Sequence, residues 1–494
     1  MQKCYFCSMN TKITELLQDR KIIILGFGKE GISTYRFIRQ YFPVMPLTVA
    51  DKNQSLQLAD IKDDPCLICV LGKHYLENLN EYDLIFKSPG VDLSKIHYWI
   101  QSEKITSQTD LFLKFYHNQV IGITGTKGKS TTASLIYHIL KENDCPVILA
   151  GNIGTPFFDI MEQMDEKTTV VAEFSAHQLE YISQSPHIAI LLNIFQEHLD
   201  HFISFNDYQI AKLNITNYQS EQDILIYNQD DLHIPELLFQ NKYRRQFFSF
   251  SNKAALATGT YRRKNAIYLV KEGEIKEAFA VHGLNNLPGR HNYYNIMAAI
   301  LAVLQKGVPA NRILSILQTY VPLEHRIEFF GIYQGIHFYN DSISTIPEAT
   351  IAAVNAVRKV ETLILGGFDR GIAYHKLISF LANSSVKNVI FTGPAGKRIL
   401  KEWQLSEKPL PRYYTENDDF TEIVNVIFNI TQQGKACLLS PAASSYDQFK
   451  NFEERGSFFR KLVVEKNCRI VSIIHDDKAH YSKSCKHDTT ALRK

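Results

Sequence analysis

Apolar residues in this chain gather in short runs, each closed by glycine or a polar turn and followed by a stretch with helical spacing. Runs that are apolar throughout, rather than alternating, suit strands buried on both faces of a parallel sheet. The first covers 21–26 (Lys-Ile-Ile-Ile-Leu-Gly) and leads through Gly26-Phe-Gly28-Lys-Glu-Gly31 into a helical stretch ending near Gln40. A second run ends at Asp51. Further strands are expected at 119–124, 169–173, 188–193 and 223–227, then at 336–340, 362–366, 388–392 and 436–439. From Asn292 to about Leu304, Ala and Leu recur at helical spacing, with Gly307 just beyond as a stop signal. The alternation of strand and helix predicts an α/β fold. Val321-Pro322-Leu323 reads as a hinge into a last domain, and beyond about Asp476 the chain turns polar and charged, as a disordered tail would.

At 494 residues the chain is long for one domain and comfortable for three. Its 45% hydrophobic and 21% charged residues are ordinary for a globular protein. A net charge of +3, with Lys and Arg scattered, argues against a nucleic-acid partner. No run approaches the ~18 apolar residues of a membrane span, and the first twenty residues are too polar for a secretory signal. Eight cysteines suggest reduced thiols in the cytoplasm rather than a disulfide scaffold. Cys4/Cys7 and Cys66/Cys69 are spaced like zinc ligands, but the pairs lie far apart, and Cys66-Leu-Ile-Cys69-Val suits a buried strand.

Residues 121–132, Ile-Gly-Ile-Thr-Gly-Thr-Lys-Gly-Lys-Ser-Thr-Thr, place an apolar strand, a glycine-punctuated loop and a helix in the order a phosphate-binding loop needs. Gly125 and Gly128 free the backbone to turn N–H groups inward, and the helix beginning near Lys129 adds its positive end. Lys129 reaches the outer phosphates and the Ser130 hydroxyl suits Mg²⁺, so ATP is the expected ligand, with Thr126, Lys127 and Thr131 in the same cradle. Glu173 ends the strand Thr-Val-Val-Ala-Glu, at the mouth of the sheet beside that loop, where a hard carboxylate oxygen suits the same cation. Gly26-x-Gly28-x-x-Gly31 with Asp51 is a dinucleotide fingerprint, which read alone fits NAD as well as any other diphosphate. Asn292 and Asn295 open a helix, where their amides suit either an adenine edge or a helix cap.

The shortened loop resembles that of the Mur ligases and their folylpolyglutamate synthetase relatives. So do 173–180 (Glu-Phe-Ser-Ala-His-Gln-Leu-Glu), 193–200 (Asn-Ile-Phe-Gln-Glu-His-Leu-Asp), 289–295 (Gly-Arg-His-Asn-Tyr-Tyr-Asn) and 439–456, which contains Ser445-Tyr-Asp-Gln-Phe-Lys-Asn-Phe452. The last stretch is similar to the branch that adds glutamate to UDP-N-acetylmuramoyl-L-alanine in cell-wall precursor synthesis. The resemblance implies three α/β domains: a Rossmann-like UDP-substrate domain (1–117), a central P-loop ATPase-type domain (118–322) and a Rossmann-like C-terminal domain for glutamate and ATP (323–475), before a polar tail (476–494). It implies a cytoplasmic monomer without membrane insertion, using ATP and two Mg²⁺. It puts the UDP substrate on Gly28, Asp51, Ser88, Pro89, Gly90 and Asn152. It makes His198 a ligand of a second magnesium and Lys212, in Tyr208-Gln-Ile-Ala-Lys212, a carbamate that also holds that metal. Lys129, His198 and Lys212 are thereby the catalytic residues, and Arg326 and Asp341 further ATP contacts.

For the amino acid, the resemblance implies Thr345, Arg370, Ser445 and Phe452. The glutamate-adding branch commonly reads Asn-Asp-Ser-Lys-Ala-Thr, whereas this chain reads Asn340-Asp-Ser-Ile343-Ser-Thr345, and it has Arg370 where many members have lysine. Arginine still grips a carboxylate, and in bidentate fashion. D-glutamate is the default, with L-glutamate and a later epimerase as the alternative. A folylpolyglutamate synthetase-like ligase, an NAD-dependent oxidoreductase and a non-catalytic nucleotide-binding protein are the remaining readings.

Overall fold

The computed structural model describes residues 12–54, 64–94, 96, 99–197, 201–240, 246–281, 284, 287, 289–322 and 324–468. Three sheets of five, nine and six strands are formed among them. The first two belong to one compact unit and the third to another.

The first sheet contains β1 (Ile22–Leu25), β2 (Leu47–Asp51), β3 (Leu67–Leu71), β4 (Leu84–Lys87) and β5 (Ile105–Thr106), in the order β3-β2-β1-β4-β5, all parallel. Ile22 to Leu25 are buried on both faces, as a fully apolar run demands. From β1 the chain runs outward through β2 and β3 on one side and then returns to β4 on the other side of β1, so a crevice opens at the carboxyl ends of β1 and β4. The helix Lys29–Tyr41 begins there.

Cys66 and Cys69 correct one expectation. Cys66 immediately precedes β3 and Cys69 lies in it, but β3 is an edge strand, and Ile68 and Cys69 are exposed. An apolar run at a sheet edge has a neighbour on one side only, which sequence does not reveal. Cys4 and Cys7 lie outside the described residues, as do His198 and the tail expected from 476.

The second sheet is built from β6 (Val120–Thr124), β7 (Val147–Gly151), β8 (Thr169–Glu173), β9 (Ile188–Leu191), β10 (Ile224–Asn228), β11 (Gln246–Ser251), β12 (Gly259–Arg263), β13 (Ala266–Lys271) and β14 (Glu274–Ala280). Its order is β14-β13-β12-β11-β10-β9-β6-β8-β7, parallel from β7 to β12 and antiparallel through β13 and β14. β6 lies between β8 and β9, so the loop after Thr124 opens beside the ends of both neighbours. The helices Lys129–Lys141 and His291–Gln305 cover the sheet with nearly continuous apolar faces.

The second unit carries β15 (Glu328–Tyr333), β16 (Ile336–Asn340), β17 (Val360–Gly366), β18 (Asn388–Thr392), β19 (Tyr413–Glu416) and β20 (Ala436–Leu439). The order is β15-β16-β20-β17-β18-β19, with only β15 antiparallel to its neighbour. One face is filled by Leu363, Leu365, Val389, Phe391 and Trp403, the other by Ile364, Ile390, Ile423 and Ile427. The alternation along β17 and β18 divides these two cores, one on each side of the sheet.

Candidate functional site

At the head of the first sheet, Gly26, Gly28, Glu30, Asp51, Ser88 and Gly90 line a cleft of about 400 Å³. Five expected substrate residues, Gly28, Asp51, Ser88, Pro89 and Gly90, are thereby brought together. Gly26 makes the turn possible: its φ is +81°, and a Cβ there would come within 2.8 Å of Val91. Ser88 Oγ donates to the Gly26 carbonyl at 2.7 Å and ties the two loops together. Asp51 accepts from the Phe27 N–H at 2.7 Å and from its own loop at Asn53 N, so it first organises backbone.

The loop after β6 folds as the pattern of glycines requires. Gly128 has φ +88°, and a Cβ there would lie 2.4 Å from Asn295 Oδ1. Lys127 N donates to Asn193 Oδ1 at 2.8 Å while Asn193 Nδ2 donates back to the Lys127 carbonyl at 2.9 Å. Thr126 is pinned through its hydroxyl, which accepts from Phe195 N at 2.9 Å. Lys129 Nζ donates to the carbonyls of Gly125 and Thr126 at 3.0 and 3.1 Å. Lys212, fully buried on the helix Phe205–Asn217, donates to the same Gly125 carbonyl at 2.9 Å. Burial first, and then the neighbouring Lys129 charge, push its amine well below the usual lysine range.

Glu173 lies at the end of β8, buried beside this loop. Asn152 Nδ2 donates to its Oε1 at 2.7 Å, while Oε2 is buried without a hydrogen-bond partner. A desolvated carboxylate oxygen of this kind fits a hard cation, and with the buried Ser130 hydroxyl it offers the all-oxygen donors that Mg²⁺ prefers. Asn152, expected on the UDP substrate, thus holds the candidate metal ligand. Asn295 and Asn292 are buried and bonded to each other at 2.9 Å, with Asn295 Oδ1 accepting from Thr132 at 3.3 Å. Their amides brace the start of the phosphate helix.

In the second unit the loops after β16, β17 and β20 meet at the carboxyl ends of adjacent parallel strands. Asp341, fully buried, accepts from Ser440 Oγ at 2.7 Å and from Ile327 N at 3.1 Å. Burial raises its carboxyl to about 6, against the opposing hydrogen bonds of Ser344 and Ser440 and the Arg326 charge. His325 and Ile327, on either side of Arg326, have φ of +62° and +48°. For a β-branched residue this is a strained conformation, and it fixes the turn that presents Arg326. Arg370 Nη2 donates to the Thr345 carbonyl at 2.9 Å, joining two of the expected glutamate residues. Ser342 Oγ donates to the Phe452 carbonyl at 2.8 Å.

Several groups at these sites carried no functional assignment on sequence. Arg455 is completely buried and donates to Ser342 Oγ and to the carbonyls of Ser342, Ala443 and Ser444, clamping the loops that carry Ser445 and Thr345. Arg398 pairs with both oxygens of Asp369, beside Arg370, at 2.6 and 2.8 Å. Lys87, buried just before Ser88, pairs with Glu180 at 3.1 Å, and Gln178 Nε2 donates to Glu30 at 2.7 Å. The signal available was position: Lys87 ends an apolar strand, where a charge is otherwise costly.

A parallel sheet whose middle strand ends in a phosphate loop, beside a strand-end glutamate and a buried lysine, defines an α/β nucleotide-phosphate-binding protein. Residues 123–303 match the Mur ligase middle domain and 20–104 the Mur ligase MurD-like N-terminal domain. The UDP-N-acetylmuramoylalanine–D-glutamate ligase of Acetivibrio thermocellus is 32% identical over 474 residues, which covers 92% of this chain and 99% of the relative. The chain belongs to the Mur ligase family. Among solved structures, UDP-N-acetylmuramate-alanine ligase from Thermotoga maritima superposes with a TM-score of 0.54 at 18% identity, over 90% of this chain and 99% of its own. The MurF ligase of Thermotoga maritima in complex with ADP gives 0.53 at 17%, over 78% and 90%. At such identities these two establish the fold.

Proposed function

We propose that this chain joins glutamate to UDP-N-acetylmuramoyl-L-alanine in an ATP-dependent ligation, with D-glutamate as the amino acid. The observation that carries the reading is the convergence of Lys129 and buried Lys212 on the Gly125 carbonyl of the phosphate loop. The alanine carboxylate attacks the γ-phosphorus of ATP, the bond to the β,γ-bridging oxygen breaks, and ADP leaves, giving an acyl phosphate. The glutamate amine then attacks the acyl carbon, expels phosphate and releases a proton. Lys129 neutralises charge on the transferring phosphoryl group, the main task in this chemistry. Mg²⁺ would supply further charge neutralisation, with Ser130 and Glu173 to hold one ion and, as the resemblance implies, His198 and Lys212 to hold a second.

Lys212 is proposed as a carbamate, formed when its neutral amine adds to CO₂ with loss of a proton. Burial beside Lys129 supports this, because only the unprotonated amine is nucleophilic. Gly28, Asp51, Ser88, Pro89 and Gly90 hold the UDP portion. Thr345, Arg370, Ser445 and Phe452 take the amino acid, and Arg326 and Asp341 carry the nucleotide contacts of the second unit. Asn292 and Asn295 are kept as nucleotide-side residues acting through the phosphate helix. The division into three domains at 117 and 322, a monomeric state and a cytoplasmic location complete this reading. None of the described helices is long and apolar enough to cross a membrane.

Turnover tests it: ATP, the muramoyl-alanine nucleotide and D-glutamate should give ADP, phosphate and the new amide. No product with either glutamate enantiomer defeats it.

A further inference from the structure

Glu30 is an acidic side chain in a cleft that must accept an anion. It stands in the first turn of the helix Lys29–Tyr41, whose free N–H groups favour negative charge from a ligand, and it lines the same cleft as Gly28, Ser88 and Gly90. A carboxylate there opposes a diphosphate. The surrounding groups leave that opposition only partly relieved. Gln178 donates one neutral hydrogen bond to Oε1 at 2.7 Å. Lys87, on β4, is a buried cation whose charge acts on Glu30, but it is already paired with Glu180 at 3.1 Å. On Glu30's own helix, Lys29 donates to the Gly154 carbonyl at 2.7 Å. From the helix Gln108–Tyr116, Gln108 reaches only the Glu30 backbone carbonyl, at 2.9 Å. Elsewhere in the cleft, Asp51 spends both oxygens on backbone N–H groups, and Lys52 and Tyr75 complete the ionisable lining.

We propose that Glu30 is a binding residue for the nucleotide substrate that takes up a proton when the diphosphate enters, so that the carboxylic acid donates a hydrogen bond where the carboxylate would repel. The inference rests on the reading of this cleft as the UDP-substrate site and adds the protonation state in which it binds. Desolvation raises the Glu30 carboxyl to about 7, against the Gln178 hydrogen bond and the Lys87 and Lys29 charges, so the proton costs little at neutral pH. A bound dianion raises it further. The ligand cannot supply this titration, because a diphosphate esterified at both ends stays fully ionised throughout the neutral range. A neutral acid that donates to an oxyanion is a recognised use of a raised carboxyl.

The test is calorimetric titration of the full chain with UDP-N-acetylmuramoyl-L-alanine at pH 7.5, in two buffers of different ionisation enthalpy. The difference in heat counts the protons exchanged. Wild type should take up a substantial fraction of a proton, and its affinity should fall several-fold between pH 6.5 and 8.5. Glu30→Gln keeps an oxygen to accept from Gln178 and should bind without uptake, about tenfold tighter than wild type at pH 8.5 and comparably at pH 6. Binding to wild type without proton uptake overturns the proposal, as does uptake that persists in Glu30→Gln. Should that variant fail to fold, the wild-type measurement in two buffers decides alone. Absence of any binding heat from wild type is a different result, and it defeats the assignment of the cleft itself.

Discussion

Lys129 and Lys212 donate to one carbonyl oxygen, that of Gly125, at 3.0 and 2.9 Å. Burial disfavours the Lys212 ammonium and the neighbouring Lys129 charge adds to this, so the Lys212 amine is pushed well below the usual lysine range. The proposed carbamate, formed from that amine and CO₂, would reverse the local sign. Lys129→Ala and Lys212→Ala should each lower kcat by about 10²–10³-fold, as expected when a preorganised charge is removed from phosphoryl transfer. Only the Lys212 variant should recover part of its turnover with added short carboxylates, and wild type should slow when bicarbonate is removed. Full activity in Lys212→Ala removes that residue from the site.

Gly128 tests the loop itself. Its φ of +88° is disfavoured for a residue with a side chain, by roughly 1–2 kcal/mol, and a Cβ would also run into Asn295 Oδ1 at 2.4 Å. Gly128→Ala should therefore weaken ATP binding strongly while the first sheet keeps its nucleotide cleft. Titration of the variant with ATP and with the UDP substrate separates the two effects.

The buried pair Lys87–Glu180 joins β4 to the segment that follows Glu173, with side chains 2% and 19% exposed. Removing Lys87 leaves the Glu180 carboxylate with His201, at 3.3 Å, as its remaining ion-pair partner and should cost up to about 3–5 kcal/mol, whereas removing both charges in similar volume should be milder. Lys87→Met should unfold at markedly lower denaturant than Lys87→Met/Glu180→Gln. Equal losses in the two proteins would mean that packing, not charge, holds this junction.

Asp341 gives a pH prediction. Its folded carboxyl, raised from 3.8 to about 6 by burial, binds a proton more tightly than in the unfolded chain. Its contribution to stability is therefore greatest below about 4 and is lost as pH rises through about 6. Asp341→Asn removes that dependence, so the stability difference between wild type and variant should shift in favour of the variant from pH 4 to pH 7. Denaturant unfolding at both values measures it, and a constant difference counts against the raised carboxyl.

The strands that build the sites were legible because they are apolar throughout: β6, β8, β16 and β18 fall within a residue of the positions their sequences predict. The hairpin β13–β14 was not: β14 is mostly exposed and breaks its apolar positions with Glu274, Lys276 and Glu277, so the short apolar run of β13 has no matching partner run to announce a hairpin. The phosphate loop was legible because glycine, lysine and serine have few other reasons to occur in that order. Glu30, Arg398 and Arg455 were not, because their roles come from partners distant along the chain, as with Arg455 and Ser342. Asn152 was read as a substrate residue, and its bond to Glu173 could not be read from the sequence.

The last prediction concerns the enantiomer. Ile343 offers no ammonium, so in the proposed site carboxylate recognition falls on Arg370, whose Nη2 donates to the Thr345 carbonyl at 2.9 Å. That bond orients the planar guanidinium, and the neighbouring Asp369 is held in turn by both donors of Arg398. A guanidinium with one fixed edge presents its remaining donors in one direction, and only one arrangement of amine, carboxylate and side chain around the α-carbon then meets them all. Arg370 lies exposed, and a wrong isomer seated on it would cover donors and leave them unpaired, which discriminates between isomers. The purified enzyme should therefore prefer one glutamate enantiomer by about 10²-fold or more in kcat/KM, with D-glutamate the preferred one. Arg370→Lys, which keeps the charge but loses the fork, should narrow that ratio by raising KM for the better isomer. A clear preference for L-glutamate would overturn the assignment of stereochemistry and require a separate epimerase, while leaving the ligation chemistry as described.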